Sequence, residues 1–226
     1  MIQVRGVMRA GLVLTLWGYV GVAAHAQTLV QPSQYEMRTD KQQAKRVKAM
    51  SGLTAEAVAA AVSIQDDPFE PVIVMSSAPV FPSPRSFTDR ILSDNYFRVF
   101  VDRKTGAAKF QLYQTVSYMG DRRHFERANG MMPSALRSLE VTRIDERLGD
   151  CLTVGLCSRD ETLGFDLTET DMEAIAAMKP YADGTPALLT FRYKSMTSFD
   201  WTDDIAAVEA EGVLLALKRW RGAKGV

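Results

Sequence analysis

The sequence predicts an α+β fold: a mainly antiparallel sheet of hairpins in meander order, packed by two or three helices in a single domain. Three observations carry that expectation. The middle of the chain alternates apolar and polar residues on either side of turn chemistry; one helix opens on a near-complete capping box; and an apolar, helix-forming run closes the chain.

The first 26 residues stand apart from this domain. Arg5 and Arg9 form a positive start with no acid nearby, and Ala10 to Ala24 is uncharged and mostly apolar, shorter than a spanning helix requires. Ala24-His25-Ala26 then places small residues where a signal peptidase reads, so residues 1–26 are expected to be a cleaved secretory leader rather than an uncleaved anchor. No cysteine follows the apolar run and no twin arginine precedes it, which leaves lipid anchoring unsupported and export as an unfolded chain the default. Periplasmic residence is the expectation, with release outside the cell as the alternative.

Removing the leader changes the composition. The 27 basic residues lose two, giving a mature formal charge of 25 − 27 = −2, and His25 is discarded, so His124 is the sole mature imidazole. Near-neutral charge gives no bulk attraction to nucleic acid or to an anionic membrane. A His-rich zinc site is excluded, and any triad would have to run through His124.

Residues 27–52 read as a flexible polar tether, rich in Gln, Lys and Arg with Pro32 inside, and residues 53–221 as the folded domain, followed by a 222–226 tail. Thr54 is placed to cap a helix over Ala55 to Val62, with Leu53 and Val58 as its staple. Asp66-Asp67-Pro68 ends that helix, and Glu70 to Met75 reads as a strand. Pro79, Pro82 and Pro84 then prevent regular structure until about Ile91.

A hairpin follows: Tyr96 to Val101, a turn at Asp102 to Gly106, and Lys109 to Tyr118. In its second strand Phe110, Leu112, Val116 and Tyr118 share the core face, and Gln111, Tyr113, Thr115 and Ser117 share a half-polar one, as in a sheet covered on one side. Arg123 to Ala128 and Leu139 to Ile144 complete the expected meander.

Cys151 and Cys157, the only thiols of the mature chain, flank a short Gly-containing loop. An oxidising compartment favours a bridge between them over two reduced thiols or half a metal site. Thr162 to Asp166 reads as a strand, and Thr168 with Asp171, stapled by Leu167 and Met172, opens a helix that stops at Pro180. Pro186 to Tyr193 and Thr197 to Trp201 form another hairpin before a last helix from about Asp203 to Arg221.

Ser63 to Pro68, Asp94 to Gln114 and Gly164 to Leu167 resemble an uncharacterised family of exported bacterial proteins, over about Leu53 to Leu217. The resemblance implies an intact exported domain and no particular substrate. Where that family favours a Trp-Arg-Phe-Tyr-like strand after the central hairpin, this chain has Arg122-Arg123-His124-Phe125.

Candidate sites are few. Arg122, Arg123, His124 and Arg127, joined across the sheet by Arg143, offer guanidinium forks and an imidazole suited to phosphate or carboxylate groups. The competing reading is a solvated face, because Asp121, Glu126, Glu140 and Asp145 are interspersed. Tyr113 is a candidate platform for carbohydrate or peptide, and equally a ring packed under its neighbours. Asp200, Asp203 and Asp204 have ligand chemistry for calcium, but acids at a helix start need no metal. No motif calls for a cofactor. The reading that fits best is a non-catalytic envelope module binding a protein, glycan or small anion; the alternative is an exported hydrolase using His124 or a carboxylate pair.

Overall fold

The computed structural model describes residues 40–78, 93–153, 156–197 and 199–225. The expected leader, the first part of the expected tether and the prolines 79, 82 and 84 lie outside these. Helix α1, Asp40–Ser51, replaces the second half of that tether. Its Lys, Gln, Ala, Arg and Met residues are good helix formers, and the buried side chain of Met50 supplies an anchor that a count of polar residues overlooks.

Helix α2, Ala55–Ala61, is capped as expected, the Thr54 hydroxyl accepting the Ala57 N–H at 3.2 Å. The next strand, β1 (Ser63–Gln65), pairs antiparallel with β2 (Val72–Ser76). Arg103 organises the loop between them, its Nε donating to the Glu70 carbonyl at 3.0 Å and its Nη1 meeting Asp66 at 2.5 Å.

Strands β3 (Ser93–Asp102) and β4 (Ala108–Met119) form the central hairpin, with Phe97 opposite Leu112 and Val99 opposite Phe110. In its turn the Asp102 carboxylate accepts the N–H groups of Lys104 at 3.0 Å and Thr105 at 2.7 Å, and Gly106 takes the left-handed φ of 68°.

The expected meander ends here. The remaining strands are β5 (Phe125–Met131), β6 (Leu136–Glu140), β7 (Thr142–Thr153), β8 (Leu156–Leu167), β9 (Leu188–Ser195) and β10 (Trp201–Ala206). They complete two sheets, six-stranded β1-β2-β3-β4-β8-β7 and four-stranded β10-β9-β5-β6, antiparallel throughout. Strand β5 leaves the first sheet because the chain turns sharply after β4, with Gly120 at φ 100° and His124 at φ 52°. The place beside β4 goes to β8, whose Leu163, Phe165 and Leu167 extend the apolar face. The strand expected over Leu139 to Ile144 is two strands in different sheets, parted at Val141.

Helix α3, Glu169–Ala176, has the full capping box: Thr168 Oγ1 accepts the Asp171 N–H at 3.0 Å and Asp171 returns the bond to the Thr168 N–H at 2.9 Å. Burial opposes ionisation of Asp171, yet these bonds and Arg137 hold its carboxyl below the usual range. Helix α4, Ala207–Lys224, begins later than expected. Asp203 and Asp204 lie in β10, paired with β9, while the Glu209 carboxylate accepts the Ala206 N–H at 3.2 Å. The helix also takes in residues 222–224 of the expected 222–226 tail and is capped by Gly225 with φ 71°. Arg221 then ties α4 to α3 through a fork on Glu169 at 2.6 and 3.1 Å.

The core lies between the inner faces of the two sheets and α2, α3 and α4. Phe165 of one sheet meets Phe191 and Tyr193 of the other with ring centroids 5.6 and 5.9 Å apart. Gly212 of α4 lets that helix touch α2, because a Cβ there would stand 2.4 Å from Val58 Cβ.

Cys151 and Cys157 are bridged, stapling β7 to β8 at a register pair. A ring this small constrains the unfolded chain modestly. Cys151→Ser is expected to lower stability by about 2 kcal/mol, read from urea midpoints under oxidising conditions; an unchanged midpoint would show that the bridge adds nothing to the hairpin.

Candidate functional site

Strand alternation gives the six-stranded sheet two unlike faces. The buried side chains of α2, α3 and α4 join the core on the inner face. On the outer face stand Tyr96, Arg98 and Phe100 of β3, Gln111, Tyr113, Thr115 and Ser117 of β4, and Thr162, Gly164 and Asp166 of β8. This is the half-polar face expected from the alternation in β4.

At its centre is a stack. Tyr96 and Tyr113 are direct cross-strand partners with ring centroids 5.4 Å apart and planes 30° from parallel. The Arg98 guanidinium carbon lies 4.5 Å from the Tyr113 ring centroid, its Nη1 donates to the Tyr113 hydroxyl at 3.2 Å, and its Nε donates to Ser76 Oγ at 3.2 Å. Gln111 donates to Asp166 at 2.9 Å, and Lys109 pairs with the same carboxylate at 2.7 Å. Gly164, opposite Tyr113, lets Ile144 and Gln111 close over β8, since a Cβ would stand 3.0 Å from Ile144 Cδ1.

Tyr113 therefore sits on the expected face but only 5 % exposed, beneath Arg98. The accessible ring is that of Tyr96, which is half-buried, and burial pushes its phenol pKa above the ordinary value. Neither Tyr96 nor Arg98 stood out in the sequence. The signal was their period-two phase with Tyr113 across the hairpin.

The expected basic group is not assembled. Arg122 pairs with Glu146 at 2.5 Å, and Glu146 also receives Arg159 at 3.3 Å, whose Nε donates to the Gly120 carbonyl at 2.9 Å. Arg123 turns inward, 5 % exposed, its guanidinium carbon 4.2 Å from the Tyr118 ring centroid. The Tyr118 hydroxyl donates to Glu161 and accepts the Arg123 N–H at 3.0 Å. Glu161 has no exposed surface, and its Oε2 has no hydrogen-bond partner among the described residues. Burial, reinforced by the bond to Glu161, pushes the Tyr118 phenol far above its ordinary pKa, so it stays the donor. Glu161 falls in phase with Leu163, Phe165 and Leu167, and a charge in phase with core positions was the readable sign of this network.

The other members lie apart. His124 offers its carbonyl to the Met196 N–H at 3.2 Å, and its ring makes no hydrogen bond among the described residues. Arg127 is exposed on β5 in the four-stranded sheet, opposite Glu140 and Lys194, whereas Arg143 is exposed on β7 in the other. Consecutive residues leaving a turn point in different directions, and the five residues that suggested one patch stand in five different environments.

The carboxylates diverge as well. Asp200 accepts the Ser195 N–H at 3.1 Å and pairs with Lys194. Asp203 is buried and accepts the Asp204 N–H at 2.8 Å, while Asp204 turns the other way to accept the Thr190 hydroxyl at 2.7 Å. Among the described residues no three His, Cys, Asp or Glu side chains are placed to hold a metal ion. Compared with family models, curated proteins and solved structures, the chain matches none.

Proposed function

We propose that this protein is an exported, non-catalytic binding module of the bacterial envelope that takes its partner on the outer face of the six-stranded sheet. The observation that carries this reading is the Tyr96, Tyr113 and Arg98 stack at the centre of a half-polar face that α2, α3 and α4 leave uncovered. An aromatic ring beside a held guanidinium suits partners with both apolar and polar groups.

The address has separate support. A Cys151–Cys157 bridge accords with an oxidising compartment, and among the described residues no helix is long and apolar enough to cross a membrane. For the hydrolase alternative, the His124 ring engages no nucleophile or acid among the described residues, and Asp200, Asp203 and Asp204 each serve a local bond.

The test is co-sedimentation with isolated envelope fragments, using protein recovered from the periplasmic fraction of expressing cells. Tyr96→Asp places a charge at the centre of the face and is expected to cut retention about tenfold, compared at a temperature where circular dichroism shows both proteins folded, since the lost stack with Tyr113 also lowers the thermal midpoint. Equal retention of wild type and variant would remove the sheet face from the function. Absence of the protein from the periplasm would remove the envelope.

A further inference from the structure

Arg98 is held in a way that its packing does not require. Its Nε–H is committed to Ser76 Oγ and one Nη1–H to the Tyr113 hydroxyl, each at 3.2 Å, and the guanidinium plane lies against the Tyr113 ring. Of the five N–H donors of an arginine, three make no hydrogen bond among the described residues, including both on Nη2. No carboxylate among the described residues pairs with them, and the side chain is half-exposed. The neighbouring acid Asp166 is already taken by Lys109 and Gln111, and Asp94 lies beyond Tyr96 on the same strand.

A fork fixed on two sides in a half-exposed side chain has lost the rotamer freedom that ordinarily offsets a surface ion pair. Beside it the half-buried ring of Tyr96 offers an apolar surface, and the Thr115 and Thr162 hydroxyls lie 3.4 Å apart on the adjoining strands. Resting on the binding-module reading, we propose that the outer face is a receptor for a carboxylate-bearing saccharide. The acid group would meet the free edge of Arg98, and the sugar ring would lie against Tyr96.

Calorimetric titration of the full protein with trigalacturonate, maltotriose and triglutamate tests the assignment. Trigalacturonate should bind, and maltotriose and triglutamate should bind at least about tenfold more weakly, since each lacks one of the two features. Arg98→Gln should weaken trigalacturonate about tenfold, and Arg98→Lys nearly as much, because a lysine keeps the charge and loses the fork. Lys218→Gln, which removes one exposed charge from α4, should change affinity less than about twofold. Equal losses in Arg98→Gln and Lys218→Gln would reduce the effect to bulk charge and overturn the site. Equal affinity for triglutamate would overturn the saccharide. A wild-type protein that sediments with envelope fragments yet ignores trigalacturonate would sink only this ligand class, whereas failure to sediment would sink the module itself.

Discussion

Replacing Tyr118 by phenylalanine is expected to cost about 3 kcal/mol of stability, although only one oxygen is removed. That oxygen donates to Glu161, a carboxylate with no exposed surface, and accepts the Arg123 N–H at 3.0 Å. Without it, Glu161 Oε1 joins an Oε2 that already lacks a partner among the described residues. A buried acceptor stranded in this way loses its hydration without compensation, and a charged one loses more. Urea unfolding with unchanged m-value would measure the loss. The double variant Tyr118→Phe/Glu161→Leu should recover most of it, because an apolar pair leaves little unsatisfied. A single-variant loss below about 1 kcal/mol would mean that water reaches Glu161 and that the network is not sealed.

Gly212→Ala is the second large effect, and its sign runs against helix propensity. In an exposed helix interior the change would stabilise by about 1 kcal/mol. Here the new methyl would stand 2.4 Å from Val58 Cβ and 2.9 Å from the Ala55 carbonyl oxygen. Flexible side-chain ends can yield to such a contact, but a β-branched carbon and a backbone oxygen cannot. Helix α2 must move away from α4, for an expected loss of about 3 kcal/mol, visible as a lower urea midpoint. Val58→Ala in the same background should restore part of that loss. Stabilisation by Gly212→Ala alone would show that the two helices do not depend on this close approach.

What the sequence disclosed was local. Thr54 and Thr168 cap their helices because a cap involves only the next three residues, and the Asp102 to Gly106 turn is likewise self-contained. The two faces of β4 followed from the period of the pleat. What stayed hidden depends on distant partners. Asp203 and Asp204 look like a helix start, yet pairing with Phe191 and Thr190 makes them strand. The turn at Gly120 to His124 sends Arg122 and Arg123 in different directions, so their adjacency carried no information about shared geometry. For the outer face, the alternation identified Tyr113, but only the β3 to β4 register revealed that Arg98 covers it and that Tyr96 is the ring within reach.

The place of β8 beside β4 has a kinetic meaning. Phe110 faces Leu167, residues 167 − 110 = 57 apart, whereas β3 meets β4 through a tight turn. The central hairpin can form within about 10 μs, but the sheet closes only after the intervening strands have gone to their own positions and the chain has returned. If the β7–β8 hairpin and its covalent bridge form first, the two strands dock on β4 in one event. Early oxidation of Cys151 and Cys157 should therefore speed the slow closure step, while a reduced chain exposes the edge of β4 to other copies for longer.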